Sequence, residues 1–159
     1  MYSRPVSFTF EATLPLTIAV EAKDFKENDT GLEYIGTDRQ QMGDGGLILQ
    51  IVSVQTGDVV AVSDGEWQAL VTHIAPLDTS CESSAEPDAD CGFTTIDAPA
   101  GWTDVGFDTS SWGAATVWSA ADVGTKDGYD EIAWDTSAEL VWGGDLETDN
   151  IVLLRAVTG

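Results

Sequence analysis

The chain has 159 residues, enough for one domain with a sizeable core, and 43% of them are hydrophobic, so we expect a folded protein and not a disordered acidic tail. Its 28 acidic and 6 basic residues give a formal net charge of -22. Such a charge repels phosphates and anionic lipid, and no stretch approaches the roughly 20 apolar residues of a membrane span, so nucleic acid partners and membrane insertion are excluded.

Two explanations account for the acidity. Clustered carboxylate oxygens bind divalent cations such as Ca²⁺. A solvated acidic surface also suits a protein to a saline environment. The composition leaves both open, and we expect most of the acidic residues to belong to the solvated surface.

The first third of the chain contains two strand patterns and one long polar segment. Residues 6–16 alternate weakly, with Phe8 and Phe10 on one face, which predicts a half-buried strand. Residues 16–22 repeat the alternation after a proline, as a second strand or as a continuation of the first. Residues 23–46 are rich in Asp, Asn and Gly, so we expect a long loop without an element of its own, and such loops are often functional.

The middle of the chain predicts a hairpin and a further strand. Residues 47–54 are mostly apolar, and residues 59–62 return the chain after a turn. The next strand covers residues 68–74 and contains His73, the only histidine. No nucleophile motif or phosphate loop accompanies His73, and no pair of carboxylates stands out, so we interpret this histidine as structural and expect no enzymatic activity.

Cys81 and Cys91 are the only cysteines, and they flank a polar segment that has no hydrophobic pattern. Neither a zinc motif nor a redox Cys-x-x-Cys is present, so a disulfide is favoured over two free thiols. A disulfide requires an oxidising compartment, which predicts an extracellular or cell-surface protein. Residues 1–10 lack the continuous apolar segment of a signal peptide, so we expect a mature form or a piece of a longer secreted or surface protein.

The last third of the chain is organised around residues 101–112, GWTDVGFDTSSW, whose small polar residues favour a turn and whose tryptophans favour burial. A single helical turn is expected at residues 119–123. Further strands are expected at residues 93–96, 137–142 and 151–157. Many short strands separated by frequent turns predict an all-β fold: one domain over residues 1–159, built as a two-sheet antiparallel β-sandwich of the jelly-roll type.

Large aromatic side chains predict part of the core. Trp67, Trp102 and Trp112 each carry more apolar area than an exposed position tolerates, so we expect all three to be buried. Asp64 and Asp108 are expected to accept local backbone N–H groups in turns.

Three segments carry more specific motifs. Residues 43–69 contain a Gly-Gly-Leu strand, a tight Gly turn and the ending SDGEW; residues 101–115 contain GWTDVGFDTSSWGAA; residues 150–157 form the closing strand NIVLLRAV. Together they resemble the galactose-binding-like jelly-roll domains appended to rhamnosidases, β-galactosidases and related glycosidases, with Thr109 where that family commonly has a second Asp. The resemblance implies a two-sheet jelly roll, frequently with a structural calcium, that serves as an accessory module and not as an enzyme.

A carbohydrate site needs flat aromatic faces beside carboxylates or amides. The candidates for those faces are Tyr34, Trp118, Tyr129, Trp134 and Trp142.

A calcium site needs clustered oxygen ligands. Early and late strands can lie close in a jelly roll, so two separate groups of carboxylates are expected around one structural Ca²⁺. The candidates are Asp24 and Asp29 from the long loop and Asp145, Glu147 and Asp149 near the end of the chain.

These features predict an extracellular, non-catalytic carbohydrate-binding or accessory module stabilised by calcium, with a glycan as its main partner and neighbouring domains or further copies as others. The alternative is a structural or adhesive subunit of a cell-surface assembly or filament. In that case residues 6–16 pair as a strand with an adjacent protein, because exposed strand edges invite such pairing.

Overall fold

A computed structural model describes residues 5–126 and 128–158 of the chain. The strands are β1 (Leu16–Lys23), β2 (Leu32–Glu33), β3 (Gln41–Met42), β4 (Gln50–Val52), β5 (Val59–Val62), β6 (Gln68–Ile74), β7 (Thr94–Thr95), β8 (Gly113–Ala114), β9 (Thr116–Trp118), β10 (Leu140–Trp142) and β11 (Asp149–Thr158). The helices are α1 (Pro87–Asp90) and α2 (Ala120–Val123), with a 3₁₀ turn at Thr79–Ser83. All strand pairs in the described residues are antiparallel, so the prediction of an all-β antiparallel fold is confirmed.

The main sheet has the strand order β1, β11, β6, β7, with β8 also paired to β6. β1 lies along β11 over its whole length, from Leu16 opposite Thr158 to Lys23 opposite Ile151. Residues 152–154 of β11 are buried in succession, without alternation. A continuous apolar run of this kind is typical of a central strand that is covered on both faces.

The remaining strands form three two-stranded sheets: β9 with β10, β4 with β5, and β2 with β3. A bridge joins the first two, because Leu47 N donates to Val141 O over 3.0 Å and Val141 N donates back to Leu47 O over 2.8 Å. The β4–β5 hairpin is therefore held against β10 through the residues that precede β4.

The hydrophobic core is shared by residues of the main sheet, of β10 and of the segments beside them. Its buried members are Trp67, Ala69, Ala115, Val141, Trp142, Val152 and Leu154. Trp142 is only 1% exposed, and its indole Nε1 donates to the main-chain oxygen of Asp149 over 2.7 Å. This bond ties β10 to the start of β11, and the indole ring packs in the core.

Several predicted elements are confirmed. The hairpin expected in residues 47–62 is β4–β5, and the strand expected at residues 68–74 is β6. The helical turn at residues 119–123 is α2, whose start is closed by reciprocal hydrogen bonds between Ser119 and Asp122.

The predictions for the aromatic and capping residues hold with one exception. Trp67 and Trp112 are buried, whereas Trp102 is half-buried. Asp64 Oδ1 accepts from Glu66 N and Asp108 Oδ1 accepts from Ser110 N, each over 2.9 Å, so both carboxylates cap turns as expected.

Two predictions for the first third of the chain are wrong. The half-buried strand expected at residues 6–16 is absent from the described fold: the strand starts at Leu16, and residues 5–15 are exposed. Alternation marks a segment able to form a strand, but burial requires a neighbouring strand. Residues 23–46 are not a featureless loop, because they contain the β2–β3 hairpin.

Candidate functional site

The N-terminal segment, residues 5–15, lies outside the sheets with its apolar side chains exposed. Val6 is 83% exposed, Phe8 78% and Phe10 50%. Phe8 and Phe10 contact each other, with ring centroids 6.0 Å apart, and the segment makes no hydrogen bond with any other residue that the structure describes. Exposed aromatic surface costs free energy in proportion to its area, so this segment has the character of an interaction surface that lacks its partner.

The same segment differs in charge from the rest of the chain. Glu11 is the one charged residue in residues 5–20, although the whole chain has a net charge of -22. Nine residues in extended conformation, 6–14, reach roughly 30 Å, the length of a long strand. The segment therefore combines strand length, apolar alternation and low charge.

An open groove of about 480 Å³ runs between β5 and the paired ends of β1 and β11. Apolar side chains from all three strands line part of it: Ile18, Val59, Val60, Ala156 and Val157. The rest of the lining is polar and includes the charged residues Asp64, Glu66 and Arg155. Val59 is 43% exposed and Val157 is 62% exposed. Thr158 Oγ1 donates to Val60 O over 3.3 Å and links the two walls at one point.

The groove is bordered by two edge strands. Among the described strands, β1 pairs only with β11 and β5 pairs only with β4. Residues 16–20 of β1 carry no charge, whereas Glu21 and Lys23 form an ion pair of 3.0 Å along its second half. Charged side chains discourage pairing at a sheet edge, so the first half of β1 is the part open to an added strand.

Two of the aromatic residues proposed for carbohydrate binding belong to the core. Trp142 offers no face to a ligand, because it is 1% exposed. Trp118 is half-buried against the core, and its Nε1 donates to Gly143 O over 3.2 Å.

The other aromatic candidates are half-buried at the surface. Tyr129 and Trp134 lie with ring centroids 6.3 Å apart and planes tilted by 32°, and Trp134 Nε1 donates to Tyr129 O over 2.9 Å. Tyr34 is covered by Arg39, whose guanidinium carbon lies 4.5 Å from the ring centroid. Tyr129 and Trp134 therefore contact each other, whereas Tyr34 contacts Arg39.

The carboxylates proposed for calcium do not all meet. Asp29 is exposed and binds Lys26 Nζ over 2.9 Å, which holds the pKa of its carboxyl below the usual value. Asp145 Oδ1 accepts from the backbone N–H groups of the two residues before Asp149, and Asp149 Oδ2 accepts from Asp145 N over 3.0 Å. Asp145 and Asp149 thus close a turn, and burial raises the pKa of Asp149.

One cluster of carboxylates does form, and it includes Asp24. One carboxylate oxygen each from Asp24, Glu33 and Asp44 lies within 4.8 Å of the other two. Asp24 and Glu33 are both 8% exposed. Burial, above all, raises the pKa of Asp24 to about 7; a hydrogen bond from Phe25 N opposes this shift, and the negative charges of Asp44 and Glu33 add to it.

The sequence analysis missed Glu33 and Asp44 because it treated their segment as one loop. The β2–β3 hairpin places Glu33 opposite Gln41, whose Nε2 donates to Glu33 Oε2 over 3.3 Å. Asp44 follows shortly after this hairpin, separated from Met42 by Gly43. Strands of two residues leave almost no periodic signal, so only the tertiary structure reveals the cluster.

The predicted disulfide between Cys81 and Cys91 is present and holds the hairpin in place. Both cysteines pack on Leu32 of β2. Gln40 Nε2 donates to the main-chain oxygen of Glu82, in the disulfide loop, over 2.7 Å. The bridged loop and the β2–β3 hairpin therefore form one unit beside the acidic cluster.

His73, which the sequence analysis interprets as structural, is buried in β6. It is 3% exposed and stacks on Phe93 with ring centroids 5.7 Å apart. Its Nε2 lies 3.5 Å from Asp29 Oδ1 without forming a hydrogen bond. Burial, followed by the charge of Lys26, lowers the pKa of His73.

Within residues 5–126 and 128–158, none of the helices has the length and apolar character needed to cross a membrane. No protein-family model, curated protein or solved structure matches this chain.

Proposed function

We propose that this protein is an extracellular, non-catalytic structural subunit that assembles with copies of itself by strand donation. Residues 6–14 of one molecule add as a strand in the groove between β1 and β5 of the next. The observation that carries this proposal is the exposure of Val6, Phe8 and Phe10 on a segment that has no strand partner in the described chain.

A second copy is the favoured occupant of the groove because each molecule supplies both halves of the contact. The segment offers alternating apolar side chains and unpaired backbone groups. The groove offers the apolar side chains of Ile18, Val59 and Ala156, and among the described strands β1 and β5 each pair with one neighbour. Main-chain hydrogen bonds supply affinity in such strand addition, and side-chain pockets supply register. The low charge of residues 5–20 limits electrostatic repulsion against a groove whose lining includes Asp64 and Glu66.

The proposed contact is heterologous, because the donated segment and the accepting groove are different surfaces. A heterologous contact that does not close into a ring produces an open filament. The disulfide agrees with a surface assembly, because disulfides persist in an oxidising compartment. A two-sheet, jelly-roll-like sandwich is part of this proposal, and the core shared by the main sheet and β10 supports it.

The test compares the full chain with two variants. Phe8→Asp/Phe10→Asp alters the donated segment, and Val105→Asp is the matched control, since Val105 is 87% exposed in a turn and is not among the residues that line the groove. We expect the native chain and the control to form oligomers or filaments, visible by sedimentation and electron microscopy, and the double variant to remain monomeric. A native chain that stays monomeric at all concentrations and salt conditions would overturn the proposal.

A mixing experiment tests the head-to-tail geometry. Val59→Lys places a charge in the groove and leaves the N-terminal segment intact. We expect it to be monomeric alone, and to form a 1:1 dimer with Phe8→Asp/Phe10→Asp, because one competent segment and one competent groove remain in the mixture. Absence of that dimer would exclude this groove as the acceptor.

Carbohydrate binding is the second candidate function, and the half-buried pair Tyr129 and Trp134 favours it, with exposed Asp130 beside Tyr129. Under this proposal the protein is an accessory module related to galactose-binding-like domains. A glycan array with the native chain, Trp134→Ala and the control Val105→Asp tests it. Binding lost only in Trp134→Ala would support this site, and no binding by the native chain would eliminate it.

A further inference from the structure

We infer that Asp24, Glu33 and Asp44 form a Ca²⁺ site that fastens the β2–β3 hairpin to the end of β1. The three residues come from three separate places in the chain: directly after β1, within β2, and shortly after β3. Each contributes one oxygen to a set that lies within 4.8 Å. The site is independent of the proposed assembly function, since the groove lies at the opposite end of β1.

The carboxylate of Asp24 points independently to a missing ligand. Its Oδ1 accepts from Phe25 N over 2.8 Å, whereas its Oδ2 is buried and has no hydrogen-bond partner in the described structure. The backbone of Asp24 is fixed as well, because Asp24 N donates to Asn150 O over 2.9 Å. A buried carboxylate oxygen without a partner is costly, and a bound cation would satisfy it together with the neighbouring acids.

The chemistry of the donors favours a hard cation. All three side chains offer carboxylate oxygens, with no sulfur or imidazole in the set, which disfavours zinc and copper. Ca²⁺ accepts six to eight oxygen ligands in a loose geometry, and water can complete the shell, whereas Mg²⁺ demands near-ideal octahedral geometry. Ligands drawn from three separate segments suit the more tolerant ion.

The surroundings also provide a spectroscopic probe. Gly45 packs directly on Trp142, since a Cβ at Gly45 would lie 2.2 Å from the indole Cε2 and Nε1 atoms. Asp44 precedes Gly45 in the chain, so we expect an ion bound at Asp44 to lie near this buried indole. Tb³⁺ in a calcium site emits when a nearby tryptophan is excited, which allows binding to be read directly.

Thermal melts of the full chain test the site. We expect excess Ca²⁺ to raise the melting temperature of the native chain relative to chelator, because a ligand that binds only the folded state stabilises it by mass action. Asp24→Asn and Glu33→Gln should lose this rise. Glu86→Gln should keep it, since Glu86 is an exposed acid whose side chain makes no capping bond.

A second measurement separates metal binding from a purely structural role. In chelator, Asp24→Asn should melt at or above the native temperature, because it removes the buried charge that the ion would neutralise. Tb³⁺ emission should appear with the native chain and Glu86→Gln, compete with Ca²⁺, and be absent in Asp24→Asn. Equal stabilisation of all variants by Ca²⁺, or no Tb³⁺ emission from the native chain, would overturn the inference.

Discussion

The backbone of Gly43 lies directly against the side chain of Asp24: a Cβ at position 43 would fall 1.8 Å from Asp24 Oδ2. The only residue that fits this position without displacing the carboxylate is therefore glycine. The contact joins the end of the β2–β3 hairpin to the residue that follows β1, and it keeps the acidic cluster compact.

Replacing Gly43 with alanine should displace the Asp24 carboxylate. We expect a loss of about 1–3 kcal/mol in the free energy of unfolding, because an added methyl in a tight site forces side chains and backbone to shift. Urea denaturation followed by tryptophan fluorescence measures the loss. Gly113→Ala is the control, since a Cβ at Gly113 meets no atom within 4 Å, and a loss of similar size there would contradict the steric explanation.

Trp142→Phe should cost more stability than Trp118→Phe. Trp142 is 1% exposed and its Nε1 bond to Asp149 O is 2.7 Å, so the change leaves a cavity and an unpaired carbonyl, a loss of about 2–4 kcal/mol. Trp118 is half-buried, and its bond to Gly143 O is 3.2 Å, so we expect about 1 kcal/mol. Chemical denaturation of both variants measures the two losses in the free energy of unfolding. A larger loss for Trp118→Phe than for Trp142→Phe would contradict the prediction.

Reduction of the disulfide should lower stability by about 2–3 kcal/mol, because the bridge closes a short loop in the unfolded chain. The bridged cysteines are ten residues apart and pack on Leu32. Unfolding curves with and without reductant measure the effect. Cys81→Ser/Cys91→Ser is the control: its curve should not respond to reductant, and a response would show that the reagent acts on another part of the protein.

Acidification should destabilise the protein through His73. The pKa of this side chain is lowered in the folded state from an ordinary value of 6.5, so the unfolded state binds the proton more strongly. The stabilising contribution is complete above pH 6.5 and is lost as pH falls towards the lowered value, at up to about 1.4 kcal/mol per pH unit.

The measurement is the difference in unfolding free energy between about pH 7.5 and about pH 5.5 for the native chain and His73→Gln. Groups that titrate in both proteins cancel in the comparison. The charged groups that bear on His73 are Asp29 and Lys26, which the variant retains. An equal pH dependence in both proteins would show that protonation of His73 does not cause the loss of stability between these pH values.

Self-association should increase with ionic strength. Each copy carries a formal charge of -22, so copies repel at low salt, and screening shortens the range of that repulsion to about 3 Å at 1 M salt. Sedimentation velocity across a salt series measures the oligomer fraction. Assembly that weakens as salt is added would show that charge pairs, and not the apolar segment, hold the copies together.

Local patterns in the sequence predicted much of the fold. The alternation in β6, the hairpin turn before β5, the capping carboxylates of Asp64 and Asp108, and the bridge between Cys81 and Cys91 all depend on residues close together in the chain. Such features are set by backbone preferences and short-range hydrogen bonds, so a sequence is enough to recognise them.

The candidate sites depend on contacts between residues that are far apart in the sequence. The alternation of residues 6–16 predicts a strand, but the described structure pairs residues 6–15 with no other strand, and Phe8 is exposed. Likewise, the aromatic character of Trp142 is visible in the sequence, whereas its burial depends on packing against residues of β6 and β11, which are far apart in the chain.

In the acidic cluster, the residue types come from the sequence and their proximity comes from the fold. The acidity of the chain and the presence of Asp24 are properties of the sequence alone. The positions of Glu33 and Asp44 beside Asp24 depend on the fold of a short hairpin that the disulfide loop holds in place. Burial and proximity arise from packing between segments far apart in sequence, which is why the tertiary structure, and not the local pattern, determined where the carboxylates meet.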